Sequence, residues 1–195
     1  MSSSPAVFLD RDGTMLEDVG YLDRLDRLAL FPYTIDSIRL LNRGGFKVVV
    51  VTSQAGVANG MVTEAFVHEA HEFIGRRVEE AGGRIDGFYY CPHLPTAVVP
   101  EYRTDCDCRK PKPGMIIDAA RDLSLDIARS VTVGDRWRDI EMGLAAGTKG
   151  VLVETGYGKS EAARRPSHIE PVPVVANLIE AVSWILRAAR GKGCI

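Results

Sequence analysis

Short, almost continuously apolar runs alternate along this chain with longer stretches whose apolar residues recur every three or four positions. The runs cover residues 6–9, 46–51, 85–90, 130–133 and 150–153 and are rich in Val. A strand covered by helices on both faces has this pattern, because neither side of it meets water. Helical periodicity spans residues 33–43, 63–81, 113–123 and 137–146, with stops at Gly44-Gly45, Gly82-Gly83 and Gly147. Glycine just past the last periodic residue ends a helix, and Pro113 sits in a first turn that needs no amide donor. A further helix, at about 175–189, sets Leu178, Val182, Ile185 and Ala189 on one stripe, and residues 164–173 look like a loose linker.

Strands alternating with helices require βαβ crossovers, so the expected class is α/β: a doubly wound, Rossmann-like parallel sheet. Ligands of such sheets bind at the carboxyl ends of the strands. Three of those ends are polar here: Asp10-Arg11-Asp12-Gly13-Thr14, Thr52-Ser53-Gln54 and Gly134-Asp135-Arg136-Trp137-Arg138-Asp139. A lone Asp-x-Asp more often caps or turns the chain; a second acidic strand end shifts the balance toward chemistry. Asp10, Asp12 and Asp135 could jointly hold a hard divalent cation, with the Thr52 hydroxyl and a lysine holding an anion beside it. Carboxylates, magnesium and a lysine suit phosphoryl transfer, since the cation offsets repulsion between a phosphate dianion and an attacking carboxylate.

Length and charge narrow the partners. With 195 residues, one domain over 1–195 is expected, and 24 Lys+Arg against 26 Asp+Glu leaves no basic face for a nucleic acid or an anionic membrane. A small phosphorylated substrate needs only a local site. No run reaches the 18 apolar residues of a membrane span and the N-terminus lacks a secretory pattern, so a cytoplasmic monomer is expected.

Cysteine usage points to a metal rather than to disulfides. Cys91-Pro92-His93 is followed after twelve residues by Cys106-Asp107-Cys108, which supplies three thiolates and an imidazole for a structural zinc; reduced structural thiols are the other reading. Zinc would pin the loop 91–108, rich in proline and poor in apolar residues, directly before Arg109-Lys110. His68 and His71 are read as exposed helix histidines, Trp137 and Trp184 as packing residues, and Cys194 as a free terminal thiol.

Asp10-x-Asp12-Gly13-Thr14, Thr52, Lys110 and Gly134-Asp135-x-x-x-Asp139 resemble, in order, the four motifs of the haloacid dehalogenase-like phosphatases, over residues 6–155. The resemblance implies that Asp10 is the nucleophile that forms an aspartyl-phosphate and Asp12 the general acid and base. Thr52 and Lys110 would steady the phosphoryl oxygens. Asp10, the main-chain carbonyl of Asp12 and Asp135 would bind magnesium, supported by Asp139. About 20 residues separate Thr14 from the first helix, and one helix is expected between Thr52 and the next strand, which leaves no room for a large cap domain.

The cysteine loop is similar to that of the capless, zinc-containing branch that includes the histidinol-phosphate and heptose-bisphosphate phosphatases. Its length, together with Asp18-Val19-Gly20-Tyr21, leans toward the heptose members. That resemblance implies substrate contacts from Asp18, Val19, Gly20, Tyr21, Ser53, Gln54, Ala55, Arg109 and Arg136. Ser53 stands where those enzymes commonly have Asn, and Arg136 where many have Lys. The expected reaction is magnesium-dependent release of the 7-phosphate of a heptose 1,7-bisphosphate. A histidinol-phosphate phosphatase is the alternative, and a receiver-like module phosphorylated on aspartate is the non-enzymatic one.

Overall fold

The computed structural model describes residues 3–191; Cys194 lies outside them. The five apolar runs become β1 (Ser4–Leu9), β2 (Lys47–Ser53), β3 (Gly87–Cys91), β4 (Leu125–Gly134) and β5 (Lys149–Val153). A two-residue edge strand, β6 (Val174–Val175), completes a sheet in the order β3-β2-β1-β4-β5-β6. Every neighbouring pair is parallel. The chain winds outward from β1 through β2 to β3, then returns to the far side of β1 for β4, β5 and β6.

Alternate side chains of each strand enter different cores, as the period of two requires. Val7, Leu9, Val48, Val50, Val131 and Val133 meet α1 (Thr34–Arg43), α3 (Glu64–Glu80) and α7 (Leu178–Arg190). Ala6, Phe8, Val49 and Val51 face the other way, onto α4 (Gly114–Leu123) and Met142 of α5 (Trp137–Ala146). Continuous apolar strands are thus explained by two helical layers.

Several boundaries depart from the expectation. Asn177 caps α7, its side chain accepting from the Glu180 amide at 3.2 Å, so that helix starts at Leu178 while Val175 pairs with Val153 in β6. Strand β4 begins at Leu125, before a register shift opposite Pro5 and Val7 that the polar Asp126, Arg129 and Ser130 disguise. Ser130 fills the gap by accepting from the Ala6 amide at 2.8 Å. Two short helices carry no periodic signal, α2 (Ala55–Ala58) and α6 (Gly158–Ala162), so Thr52 leads to β3 through two helices rather than one. Residues 164–173 hold no helix or strand, yet Ile169 is buried against Trp137, Ile140 and Leu152. No large cap interrupts the segments after β1 or β2. Among the described residues no helix is long and apolar enough to cross a membrane.

Candidate active site

The ends of β1 and β4 lie side by side, tied by the Asp10 amide donating to the Val133 carbonyl at 2.9 Å. That pairing puts Asp10 and Asp135 together below the opening of the sheet. Lys110, delivered by the segment between the cysteine loop and α4, reaches the same point: its Nζ donates to Asp10 Oδ1 at 2.5 Å and stands 2.8 Å from Asp139 Oδ1. Asp139 is three residues into α5 and accepts from the Arg136 amide at 3.0 Å, so the capping box that starts the helix also aims the carboxylate at Lys110.

Asp135 is fixed from behind. Its Oδ2 accepts from the Tyr157 amide at 2.7 Å, while Oδ1 is buried with no hydrogen-bond partner. Gly13 and Gly156, both at positive φ, press their backbones against this carboxylate, and a Cβ at either position would overlap it. The Thr155 hydroxyl donates to the Gly13 carbonyl at 2.6 Å and holds the two backbones together.

Burial dominates the electrostatics. It pushes the Asp10 carboxyl up to about 7 against the pull of Lys110, and the Asp135 carboxyl up to about 8 with Asp10 adding to the effect. For Lys110 burial works against the charge, but Asp10 and Asp139 outweigh it and hold the ammonium above its ordinary range. Ligand oxygens of Asp10, Asp135 and Asp139 lie within 4.8 Å of one another. A buried carboxylate oxygen without a donor, in an acidic cluster that burial strains, fits a hard divalent cation.

The Asp12 side chain is not part of that cluster. It accepts from Arg11 Nε at 3.0 Å, Arg11 Nη2 at 3.1 Å and Gln54 Nε2 at 3.0 Å, with the Thr52 hydroxyl at 3.5 Å. This leaves its main-chain carbonyl as the group that the family resemblance assigns to a cation. The two carboxylates therefore have different surroundings despite their spacing of two: one beside a lysine and acids, the other beside a guanidinium and an amide.

The remaining residues singled out in the sequence form the rim. Asp18 accepts from the Gly20 amide at 2.8 Å, and Arg27 holds the carbonyls of Val19 and Tyr21 at 3.1 and 3.2 Å. The Tyr21 hydroxyl accepts from Asn59 at 2.9 Å. Asp18 also lies 3.6 Å from the Arg136 guanidinium, which stacks 3.5 Å over the ring centre of Tyr157. Ser53 Oγ is buried without a partner, and Ala55 opens α2. Val19 and Tyr21 thus belong to the rim and not to the acidic cluster.

Tyr157 and the Thr155-Gly156 turn carried no signal in the sequence. His71 did carry one, and the reading of it as exposed is corrected here. It is 5% exposed and lies on the same apolar stripe of α3 as Val67, Ile74 and Val78, stacked on Phe88 and 3.4 Å from Arg11 Nη1. Burial and the adjacent Arg11 push its imidazole down to about 3, so the ring is neutral.

Behind Lys110, the loop after β3 folds Cys91, His93, Cys106 and Cys108 into one cluster. Sulfur–sulfur separations are 3.5 Å for Cys91–Cys106 and 3.2 Å for Cys106–Cys108; His93 Nδ1 lies 3.3 Å from Cys108 and 3.9 Å from Cys91. A tetrahedral zinc with bonds of about 2.3 Å needs sulfurs roughly 3.8 Å apart. The sulfurs lie somewhat closer than that, but three thiols and one imidazole nitrogen are the donor set zinc takes, and all four positions come from the protein, with none open for a substrate. Arg109 Nη1 donates to the His93 carbonyl at 2.8 Å, which connects this cluster to the rim. Glu64 braces the loop from α3, accepting from Tyr102 at 2.8 Å and from Tyr90.

A family model for HAD-like hydrolases matches residues 107–181, a span that includes Lys110, Asp135 and Asp139. The D-glycero-beta-D-manno-heptose-1,7-bisphosphate 7-phosphatase of Escherichia coli (strain K12) is 46% identical over 188 residues, 95% of this chain and 90% of the relative. Its counterpart in Salmonella typhi is 40% identical, with 95% and 92% of the two chains covered. Among solved structures, a D,D-heptose 1,7-bisphosphate phosphatase from B. bronchiseptica, crystallised with magnesium and phosphate, superposes with a TM-score of 0.84 at 31% identity, covering 94% of this chain and 99% of that one. Similarity of this extent, over a capless parallel sheet with buried acids at its strand ends, makes the chain a phosphatase of the heptose-1,7-bisphosphate 7-phosphatase family, within the haloacid dehalogenase-like hydrolases.

Proposed function

We propose that this single-domain enzyme removes the 7-phosphate of D-glycero-D-manno-heptose 1,7-bisphosphate through a phosphoryl group carried on Asp10. The supporting observation is the Lys110 ammonium set between Asp10 and Asp139, next to an Asp135 oxygen that has no donor. Asp10, the Asp12 main-chain carbonyl and Asp135 are the groups to hold magnesium. Magnesium there supplies positive charge that offsets repulsion between the phosphate dianion and the Asp10 carboxylate.

In this reading an Asp10 oxygen bonds to phosphorus as the phosphorus–sugar oxygen bond breaks, and Asp12 gives that oxygen its proton. Asp12 then takes a proton from the water that attacks the same phosphorus and frees Asp10. Lys110 and Thr52 neutralise and orient the phosphoryl oxygens. Arg109 and Arg136 are suited to the substrate's other phosphate, because a guanidinium offers paired donors to it. Asp18 to Tyr21 and Ser53 to Ala55 line the sugar. Cys91, His93, Cys106 and Cys108 hold a structural zinc that fixes Arg109 and Lys110.

The test is phosphate release with and without magnesium from both anomers of the heptose bisphosphate and from histidinol phosphate, with Asp10→Asn as the blank. A kcat/KM for the heptose substrate higher by orders of magnitude is expected, with the beta anomer preferred as in the relatives' names. Preference for histidinol phosphate would overturn the substrate. Release from neither, with Asp10 still phosphorylated by small phosphodonors, would overturn turnover itself.

A further inference from the structure

Arg11 is among the largest fully buried side chains of the molecule, 2% exposed, and no phosphate contact is assigned to its guanidinium. A buried guanidinium is costly unless its donors are used. Here they are shared among three partners. Nε and Nη2 grip both oxygens of Asp12, Nη2 also donates to Gln54 Oε1 at 2.9 Å, and Nη1 faces His71 Nε2 at 3.4 Å.

The histidine's part follows from donor chemistry. A guanidinium can only donate, so Nε2 must be the accepting nitrogen and the ring proton must sit on Nδ1. A neutral imidazole buried against Phe88, with ring centres 4.7 Å apart, meets that requirement. Gln54 closes the arrangement: it accepts from Arg11 while its amide donates to Asp12 and, at 2.8 Å, to Thr52. Arg11 therefore cannot turn without breaking contacts on three elements: the β1 end, the β2 end and α3.

We infer that Arg11, clamped by His71 and Gln54, is the positioning residue that sets the orientation of the Asp12 carboxylate for proton transfer. It acts through Asp12 and does not touch the phosphoryl group. The inference rests on the general acid and base role proposed for Asp12 and adds the residues that aim it. His71, one helix turn from the solvent-facing His68, is the far anchor of that aim.

Leaving-group dependence tests this. p-Nitrophenolate departs without a proton, whereas a sugar alkoxide needs one from Asp12. With Asp12→Asn, p-nitrophenyl phosphate should give a rapid burst of nearly one equivalent of p-nitrophenolate followed by slow turnover, and the heptose substrate should show no burst. Arg11→Lys, which keeps the charge but not the paired donors, should reproduce this signature, with kcat for the heptose substrate down roughly 10–100-fold and KM nearly unchanged. His71→Phe, which keeps the stack but removes the acceptor, should show it at about tenfold, and His71→Gln should restore most of the rate.

If Arg11→Lys fails to fold, the His71 pair decides the matter alone. Equal loss of burst and turnover, or no change in either, overturns the inference while Asp12→Asn keeps its signature. Absence of the signature in Asp12→Asn itself overturns the acid–base assignment and this inference with it.

Discussion

The acidic pocket between β1 and β4 and the cysteine loop after β3 both gather ligands suited to a cation, but they are held in different ways. In the pocket, position comes from the sheet: Asp10 and Asp135 extend two hydrogen-bonded neighbours, and Asp139 and Lys110 are locked by a helix cap and an ion pair. In the loop, residues 92–109 contain only one short 3₁₀ turn, and the order comes from the ligand cluster itself with Glu64 as an outside brace. The first site is a by-product of the fold; the second makes its own piece of fold. Lys110 belongs to the first by its ion pairs with Asp10 and Asp139 and to the second by sequence, so damage to the loop should reach the pocket through it.

Lys110→Met should separate the two regions most clearly. It should lower kcat/KM by roughly 100–1,000-fold while the zinc proposed for the cysteine loop stays bound. Melting temperature should fall more at pH 8 than at pH 6, because the carboxyls stripped of their ammonium can protonate at the lower pH. A drop that is independent of pH would mean that Lys110 does not compensate these acids.

Removal of the zinc proposed for the loop, by Cys106→Ser, comes next. Hydrogen exchange should rise across residues 92–109 while β1, β2 and β4 keep their protection, and kcat/KM should fall about tenfold as Arg109 loses its anchor on His93. Exchange spreading into β1 would show that the two regions are one cooperative unit.

A subtler effect is in the pH dependence of the pocket. Both carboxyls are raised, so the stability they contribute without a divalent cation is full below their unfolded value of 3.8. It is lost as pH rises through about 7 for Asp10 and about 8 for Asp135. Magnesium competes with those protons, so the rise in melting temperature it produces should be larger at pH 8.5 than at pH 6, and Asp135→Asn should flatten the trend. The smallest expected change is for Glu64→Gln, about 1 kcal/mol by chemical denaturation with metal content unchanged, since the two tyrosine hydroxyls keep an acceptor of lower strength.

Much of this was legible in the chain because the physics is local. An apolar strand followed by Asp-x-Asp-Gly or Gly-Asp places carboxylates at strand ends before any contact is known, and cysteine spacing shows a ligand set. What escaped depends on neighbours remote in sequence. Tyr157 matters because the turn after β5 abuts Asp135, 22 residues away, and nothing in Thr155-Gly156-Tyr157 announces it. Edge strand β6 exists because β5 needed a partner, in a stretch whose own pattern continues into the helix. His71 is different: its place on the stripe with Val67, Ile74 and Val78 marks it as buried in the sequence itself.

The backbone walls around Asp135 have a consequence for selection. Because Gly13 and Gly156 both abut its carboxylate with bare main chain, the shape of that corner is fixed by what those two positions lack. In a library that randomises every residue around the pocket and is sorted for turnover, the rim at 18–21, 53 and 55 should drift and retune preference among sugars. Positions 13 and 156 should return as glycine in every active clone, an invariance imposed by steric exclusion without any chemistry of their own.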